Sequence, residues 1–308
     1  MDYFKRILNG TMPETLYHYT DGQGLLGIIR KEQFWASHIR FMNDLKEEIY
    51  SLDCLENWLS ESEENVSEIM ESVKTEFHKE TSEKSIFVVS FSEKKDNLNQ
   101  WRGYADKIPA YCIGFDYEKL KENGGFCTNV EKIIERLNKP DSSSTENPFV
   151  FLLPCIYEKN EQDSLIKEVV NDSKKKIGND DYENLGKEIA RRLIYYSPLI
   201  KHEMSKDEEE WRLIIVYEDL QTSKDEAVCN NFKNTPSKQK KDFINFRMGK
   251  SLIIPYYEFK IQKKSVKEVI IGACPDMESV KESTSYFLTK HGLKNNLLVE
   301  TKNPYRNW

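Results

Sequence analysis

The 308-residue sequence predicts an α+β fold with a mixed, largely antiparallel sheet and helical insertions. Short runs rich in β-branched and aromatic residues, such as residues 85–91 and 149–155, predict buried strands. Longer stretches with an apolar residue at every third or fourth position predict helices. The two patterns do not alternate regularly, which argues against a doubly wound parallel sheet. We therefore expect a single domain over residues 1–308.

The elements of the first half of the chain follow from local patterns. Residues 16–20 alternate like a half-buried strand, and the helix that follows is predicted to be capped by Thr20, with Gln23 at capping-box spacing. Residues 34–37 predict the next strand. Residues 44–84 carry a long apolar stripe at helical spacing, which predicts a helical insertion packed on the domain or on another copy of the chain. The next predicted segments are strand 86–91, helix 99–104, strand 111–115 and loop 138–147.

The second half is more irregular. Residues 149–157 predict a strand, and a helix is predicted from 185 to about 204, broken at Pro198 because proline lacks a backbone donor. A strand over 211–217 precedes a polar surface-loop insertion over 221–241. The remaining predicted elements are strands near 246 and over 251–259, 269–271 and 297–300, and a helix over 277–290.

Composition limits the classes of function. A hydrophobic share of 38% and an aromatic share of 12% are typical of a folding chain, and the net charge of −7 opposes broad binding to nucleic-acid backbones. No apolar run is long enough to cross a bilayer and no leader pattern is present, so we expect a cytoplasmic protein without a membrane partner. The six cysteines form no Cys-x-x-Cys pair, so we expect isolated thiols and no metal site.

One motif matches a dinucleotide-binding fingerprint. Residues 22–27 read Gly-x-Gly-x-x-Gly after a strand, and Asp44 lies at a plausible distance for a ribose ligand. The first strand of a Rossmann unit, however, is buried on both faces and is usually a run of aliphatic residues. Residues 16–20 read Leu-Tyr-His-Tyr-Thr, and no β-α-β units repeat along the chain. We therefore do not interpret the motif as a Rossmann site.

An acidic run at the start of a predicted strand is a second candidate site. If the strand pattern extends back to residue 208, Glu208 and Glu210 share one face and Glu209 lies on the other. Arg212 shares the face of Glu210 and can keep a carboxylate ionised. Such a pair can hold a ribose hydroxyl or stabilise a developing cation. A solvated acidic strand entrance explains the same residues.

Polar and aromatic residues at other strand ends could line a pocket. Ser90 and Ser92 end one strand, and the helix after it carries Trp101, Arg102 and Tyr104. Together they offer hydroxyl, indole, guanidinium and phenol groups to a polar aromatic ligand. Core packing would explain the aromatic residues equally well, and a lone histidine such as His18 is most often a hydrogen-bonded structural residue.

Taken in order, these segments resemble the bacterial domain-of-unknown-function family 2971. The resemblance covers residues 16–306. Its motifs are LYHYT at 16–20, FWAS at 34–37, ND at 43–44 with Glu47, VSFS at 89–92, QWRGYAD at 100–106, CIGFD at 112–116, Lys201 with EEEWR at 208–212, and VIIGACP at 269–275.

The layout of this family is similar to the ADP-ribosyltransferase fold, whose members split NAD at the nicotinamide–ribose bond. The resemblance implies that NAD is a co-substrate, with His18, Tyr104 and either Glu208 or Glu210 at the reacting centre. It implies NAD contacts from His18, Tyr19, Thr20, Ser90, Ser92, Trp101, Arg102 and Arg212. His18, Tyr104 and Glu210 should then converge on one cleft. A structure that places His18 and Glu210 on opposite sides of the sheet would exclude the enzyme.

Three functions remain open from the sequence. The first is an NAD-consuming ADP-ribosyltransferase or NAD glycohydrolase, a toxin or phage-defence effector whose acceptor could be protein, nucleic acid or water. The second is a non-catalytic protein that binds a nucleotide or a partner in the same pocket. The third is an RNA-directed phosphotransferase, for which His18, Arg40, Arg102 and Arg212 are the candidate phosphate ligands. The acidic net charge disfavours the third.

Overall fold

A computed structural model describes residues 12–42, 45–62, 65–104, 109–124, 126–127, 132–133, 135–136, 148–178, 180–217, 243–249 and 251–303. Within these residues the chain has an α+β architecture, in which helices flank an open mixed sheet. The predicted loops 138–147 and 221–241 lie outside the described residues, as do Asn43 and Asp44.

Strands and helices occupy most of the described chain. The strands are β1 (Thr15–Asp21), β2 (Gln33–His38), β3 (Ser85–Ser92), β4 (Ala110–Asp116), β5 (Phe149–Pro154), β6 (Glu210–Tyr217), β7 (Ile244–Met248), β8 (Ile253–Lys260), β9 (Val266–Ile271) and β10 (Leu298–Glu300). The helices are α1 (Gly22–Lys31), α2 (Leu45–Ser62), α3 (Val66–Glu83), α4 (Leu98–Tyr104), α5 (Tyr117–Gly124), α6 (Lys159–Ile177), α7 (Tyr182–Tyr196) and α8 (Met277–Lys290).

The sheet is ordered β10-β9-β4-β1-β3-β2-β8-β7, and it branches at β3. One edge of β3 pairs along its whole length with β6, which in turn pairs with β5. The other edge is shared between β1 and β2. Among the described strands only β9 and β10 run parallel, so the sheet is mixed but mostly antiparallel.

A slot opens in the sheet where β1 and β2 separate. β1 meets β3 at Tyr17 opposite Ser92, and β2 meets β3 at Ser37 opposite Val88 and at His38 opposite Phe87. In the described part of the sheet, residues 89–91 of β3 therefore have no strand partner on this edge. Helix α1 connects β1 to β2 and lies beside the slot.

Helix α1 begins at a cap one residue later than predicted. The side chain of Asp21, not that of Thr20, accepts a hydrogen bond from the backbone nitrogen of Gly24 at 2.8 Å. A Cβ atom at residue 24 would lie 1.8 Å from Oγ1 of Thr20. Glycine therefore allows the first turn of the helix to pack on the end of β1, which explains part of the Gly-x-Gly-x-x-Gly motif without a nucleotide.

The predicted helical stripe is buried inside the domain. The described residues of this segment form two helices, α2 and α3, and their apolar side chains pack with those of α6 and α7 in one core cluster. These side chains are Leu52, Leu55, Leu59, Ile69, Val73 and Phe77, together with Val169, Ile189 and Leu193. Ile49 departs from the pattern, since half of its surface is exposed. Helix α7 ends at Tyr196, and Pro198 follows in a 3₁₀ turn, as predicted.

Close packing of α3 on α7 yields a stability prediction. Gly186→Ala is expected to lower the free energy of unfolding by about 1–2 kcal/mol, because its Cβ would lie 2.7 Å from the Ile69 carbonyl oxygen and from the Ser72 Cβ. Gly27→Ala is the matched control, since a Cβ there meets nothing within 4 Å. That change should raise stability by about 0.5–1 kcal/mol. Urea denaturation measures both, and a gain in both variants would contradict the close approach of the helices.

Buried histidine makes stability depend on pH. His38 packs on the rings of Phe41 and Phe87, and its Nδ1 accepts a hydrogen bond from the backbone nitrogen of Arg40 at 3.3 Å. Burial, with a smaller effect of the Arg40 charge, lowers the pKa of His38 from 6.5 to about 4. Between these two pH values the unfolded chain binds the proton and the folded chain does not, so stability falls as the pH falls.

Protonation of His38 on unfolding is expected to lower the free energy of unfolding by on the order of 3 kcal/mol between about pH 7 and pH 4. Urea denaturation across this range measures it. The variant His38→Asn keeps a side-chain acceptor for the turn and cannot be protonated, so its stability should fall less steeply. A variant that loses stability as steeply as the parent would show that other groups control the acid response.

Candidate functional site

The slot in the sheet opens into a cavity of about 540 Å³. Its walls come from both faces of the sheet, because the strands are apart there. Six of the residues predicted to act in catalysis or to contact NAD line this cavity: His18, Tyr19, Thr20, Ser90, Glu208 and Glu210. Other lining residues include Asp21, Gln23, Gln33, Phe34, Trp35, Ser37, Phe91, Gln100 and Arg247.

His18 fills the slot beside the unpaired edge of β3. Its Nδ1 donates to the carbonyl oxygen of Ser90 at 2.9 Å, and its ring packs against Phe34 and Phe91 at centroid distances of 5.4 and 5.8 Å. Burial of the ring lowers the pKa of His18, and the Ser90 carbonyl opposes this only in part. The imidazole is therefore neutral at neutral pH, with Nδ1 protonated and Nε2 left as an acceptor.

Glu210 and His18 line the same cavity although they leave the sheet on opposite faces. Glu210 pairs with Ser92, which pairs with Tyr17, so these three side chains share one face. His18 is the next residue after Tyr17 and projects to the other face. The two side chains therefore lie on opposite sides of the sheet, which is the arrangement expected to exclude the enzyme. They nevertheless line one cavity, because the sheet is open between β1 and β2, and a ligand there can meet both.

The carboxylate of Glu210 is held by two buried cations. Lys201 Nζ donates to its Oε2 at 2.6 Å, and Arg212 donates from Nε to Oε1 at 2.8 Å and from Nη2 to Oε2 at 3.1 Å. Burial alone would raise the pKa of Glu210, but Arg212 and Lys201 outweigh it and lower the pKa to about 2. The predicted pairing of Arg212 with Glu210 is therefore present, and it fixes both carboxylate oxygens.

Glu208 lies near Glu210, but not through the strand geometry that was predicted for the two residues. It is not in the strand but ends a 3₁₀ turn (Glu203–Glu208), and Glu209 follows with a left-handed φ of 41°. The prediction that residues 208–210 alternate along a strand is therefore wrong. Lys201 Nζ nevertheless donates to Oε2 of Glu208 at 2.8 Å, so the two carboxylates meet. The Glu208 side chain is 27% exposed and that of Glu210 is 3% exposed.

Serine residues of β3 position this cluster. Ser92 is buried, donates from Oγ to the carbonyl oxygen of Glu208 at 2.6 Å, and accepts from the backbone nitrogen of Lys94 at 3.0 Å. Its hydroxyl therefore holds the turn that presents Glu208. Ser90 acts through its carbonyl oxygen, which fixes the His18 ring.

Two of the residues predicted to contact NAD, Trp101 and Tyr19, make structural contacts with each other and with neighbouring residues. Trp101 is buried against Tyr19 at a centroid distance of 5.0 Å and donates from Nε1 to Asp96 at 2.8 Å. The Tyr19 hydroxyl donates to the Lys94 carbonyl and accepts from the backbone nitrogen of Asn97, both at 2.8 Å. Trp101 and the exposed Arg102 are not among the described residues that line the cavity. The Tyr104 side chain lies outside the described part of the chain.

Three residues of this site were not predicted from the sequence. Lys201 entered only as a motif residue, yet it is 3% exposed and bridges both carboxylates. Arg247 and Gln33 were not singled out, and both line the cavity from the side of β2 and β7. Local pattern gives no signal for them, because a lysine or arginine among polar residues usually lies in solvent.

Two further features, a cluster of metal ligands and a membrane-spanning helix, are absent from the described residues. No group of three or more His, Cys, Asp or Glu residues in the described chain is placed to hold a metal ion. None of the helices that the structure describes combines the length and apolar character needed to cross a bilayer.

Comparison with known proteins supports the family resemblance over part of the chain. The family DUF2971, described as a protein of unknown function, matches residues 100–213. This segment is less than half of the chain and contains the cluster of Lys201, Glu208, Glu210 and Arg212, but not His18. No curated protein and no solved structure matches the chain. The ADP-ribosyltransferase layout therefore has no support from a known relative.

Proposed function

We propose that the chain is an NAD-consuming enzyme, an ADP-ribosyltransferase or NAD glycohydrolase, with its active site in the slot of the sheet. The observation that carries the proposal is that His18, Ser90 and the Glu208–Glu210 pair line one cavity. Those residues come from three separate parts of the sequence and from four elements: β1, β3, the 3₁₀ turn that ends at Glu208, and β6. Phe34, Phe91 and Trp35 add aromatic surface to the same cavity, which suits a ligand with a planar ring.

His18 is suited to bind and orient the ligand. The Ser90 carbonyl accepts a hydrogen bond from Nδ1–H and so fixes the ring and its tautomer, which leaves Nε2 free to accept a hydrogen bond from a ribose hydroxyl or from the amide of nicotinamide. A neutral imidazole also adds no charge that would oppose a developing cation. Its replacement should therefore affect ligand binding more than the rate of bond cleavage.

Glu208 is the better candidate for the carboxylate that faces the reacting ribose. One of its oxygens accepts from Lys201, and the side chain is partly exposed, so the other oxygen can meet a ligand. Departure of nicotinamide leaves an oxocarbenium-like ribose, which a fixed carboxylate stabilises electrostatically. Glu210, bonded through both oxygens, would anchor Lys201 and thereby position Glu208.

The cluster of charges favours a second candidate function, a non-catalytic nucleotide-binding protein. Lys201 and Arg212 supply two positive charges, and Glu208 and Glu210 supply two negative charges, so the cluster as a whole is neutral. A neutral cluster stabilises a developing cation less than an isolated carboxylate does. The same cavity would still bind a nucleotide through its aromatic and polar walls.

Incubation of the purified protein with NAD, followed by measurement of nicotinamide release, tests the enzyme. We expect release that depends on Glu208, and weaker NAD binding by isothermal titration calorimetry in His18→Ala. Binding of NAD without release would favour the non-catalytic protein. A chain that neither binds NAD nor releases nicotinamide would contradict both functions.

A further inference from the structure

One wall of the cavity carries a cation with no carboxylate at salt-bridge distance among the described residues. Arg247 of β7 lines the cavity, and its Nη2 donates to Oγ of Ser37 at 2.9 Å. Burial lowers its pKa, and Asp21 and Tyr256 oppose the shift only in part. Arginine nevertheless remains charged in proteins, so a half-buried positive charge with donors to spare faces the cavity.

A buried amide donor without an acceptor lies on the same wall. Gln33 is 1% exposed, its Oε1 accepts from Lys260 Nζ, and its Nε2 has no hydrogen-bond partner among the described residues. Buried donors are almost always paired, and an unpaired one calls for a partner such as a ligand. Gln33 lines the cavity, so an acceptor atom of a ligand there would satisfy its Nε2.

These donors and an aromatic ring share one face of the sheet. Gln33, Trp35 and Ser37 alternate along β2, so their side chains project to the same side. Arg247 reaches Ser37 across the intervening strand β8. Trp35 also lines the cavity, is 42% exposed, and packs on Tyr256 at a centroid distance of 4.8 Å. Its ring therefore offers a stacking surface beside the donors.

We propose that this wall is a subsite for the ADP part of a nucleotide. Arg247 and Ser37 bind its diphosphate, Trp35 stacks on its base, and Gln33, two residues before Trp35 on β2, donates to an acceptor nitrogen of the base. This deepens the proposed function and rests on it in naming NAD as the ligand, whose ADP half would lie here. A guanidinium and a hydroxyl are donors that suit phosphate oxygens, and a side-chain amide can donate to a ring nitrogen. The cavity is larger than a free phosphate needs, and the net charge of −7 disfavours a long nucleic acid.

The position of the subsite fits a ligand that extends to the acidic pair. Ser37 pairs with Val88 of β3, and Glu210 pairs with Ser92 of the same strand. Those two positions are roughly 13 Å apart along the strand. Phosphate oxygens at Arg247 are therefore kept away from the carboxylates of Glu208 and Glu210, while a dinucleotide can reach both ends.

Isothermal titration calorimetry with ADP and with inorganic pyrophosphate tests the subsite without requiring NAD cleavage. We expect Arg247→Gln and Gln33→Glu each to weaken ADP binding roughly tenfold or more. Gln33→Glu keeps the size of the side chain and the contact with Lys260, but it replaces the unpaired donor with an acceptor. Arg30→Gln removes the same charge from an exposed arginine outside the cavity lining and should leave ADP binding unchanged. Thermal melting confirms that each variant is folded.

The outcomes separate this subsite from the enzyme. ADP binding that is lost in both cavity variants, in a protein that releases no nicotinamide, would support the subsite and contradict only the enzyme. Nicotinamide release that persists with ADP affinity unchanged in Gln33→Glu and in Arg247→Gln would overturn the subsite alone. If Arg247→Gln does not fold, Gln33→Glu decides. Pyrophosphate binding as tight as ADP binding would overturn the stacking of the base on Trp35, for which we expect roughly a tenfold preference for ADP.

Discussion

Replacing Lys201 with methionine is expected to lower the free energy of unfolding by about 3–5 kcal/mol. The ammonium group is buried and donates to Glu208 at 2.8 Å and to Glu210 at 2.6 Å. Methionine fills a similar volume but leaves two neighbouring carboxylates with Arg212 as their remaining cation in the cluster. Breaking a buried ion pair from one side is costly because the other charge stays buried. Urea denaturation at neutral pH measures the loss.

Lys206→Met is the matched control for this prediction. Lys206 also pairs with a carboxylate, that of Glu158, but both side chains are more than half exposed. Exposed ion pairs contribute little, so this variant should unfold close to the parent. If Lys201→Met unfolds at as high a urea concentration as Lys206→Met, Lys201 is not the residue that holds the two glutamates together, and the described cluster is wrong.

The second large effect is expected at Glu208. If the chain cleaves NAD, Glu208→Gln should reduce nicotinamide release on the order of a hundredfold and leave the Kd of NAD nearly unchanged. The change removes a charge that acts mainly in the transition state while keeping the shape of the side chain. Steady-state kinetics give the loss in kcat, and calorimetry gives the Kd.

Glu209→Gln and Glu210→Gln complete the comparison. Glu209 is exposed beside Lys94 and is not among the described residues that line the cavity, so its variant should keep full activity. Glu210→Gln removes the anchor of Lys201 and should lower stability as well as turnover. A folded Glu210→Gln that is inactive beside an active Glu208→Gln would make Glu210 the working acid. Full activity in both would mean that these carboxylates do not act on NAD.

Local sequence patterns predicted most of the strands and argued correctly against a Rossmann site. The alternating aromatics of residues 16–20 form β1, which pairs antiparallel with β4 and β3, whereas the first strand of a Rossmann unit lies in a parallel sheet. Helix α6 was missed even though Leu165, Ile166, Val169 and Val170 have helical spacing and are buried. The helix was missed because the Lys, Glu and Asp residues around this stripe make the segment polar on average.

The site was predicted in part, because its geometry depends on distant contacts. Glu208 and Glu210 could be found as a pair, but the left-handed Glu209 and the 3₁₀ turn before it have no local pattern. Burial of Lys201 depends on the segment that follows strand β5 and on helix α6, which hold its backbone through the Ile156 carbonyl and the Gln162 side chain. Gln33 and Arg247 become neighbours of the cavity only when β2, β8 and β7 pair.

The branch at β3 divides the sheet into two wings. One wing is β10-β9-β4-β1 and the other is β2-β8-β7, and in the described chain three residue pairs hold them to β3. The width of the slot therefore depends mainly on side chains packed between the wings, such as Phe34 against His18 and Phe115. His18 belongs to one wing and Arg247 to the other. A ligand that contacts both residues links the two wings, so a bound ligand should reduce the motion of one wing relative to the other.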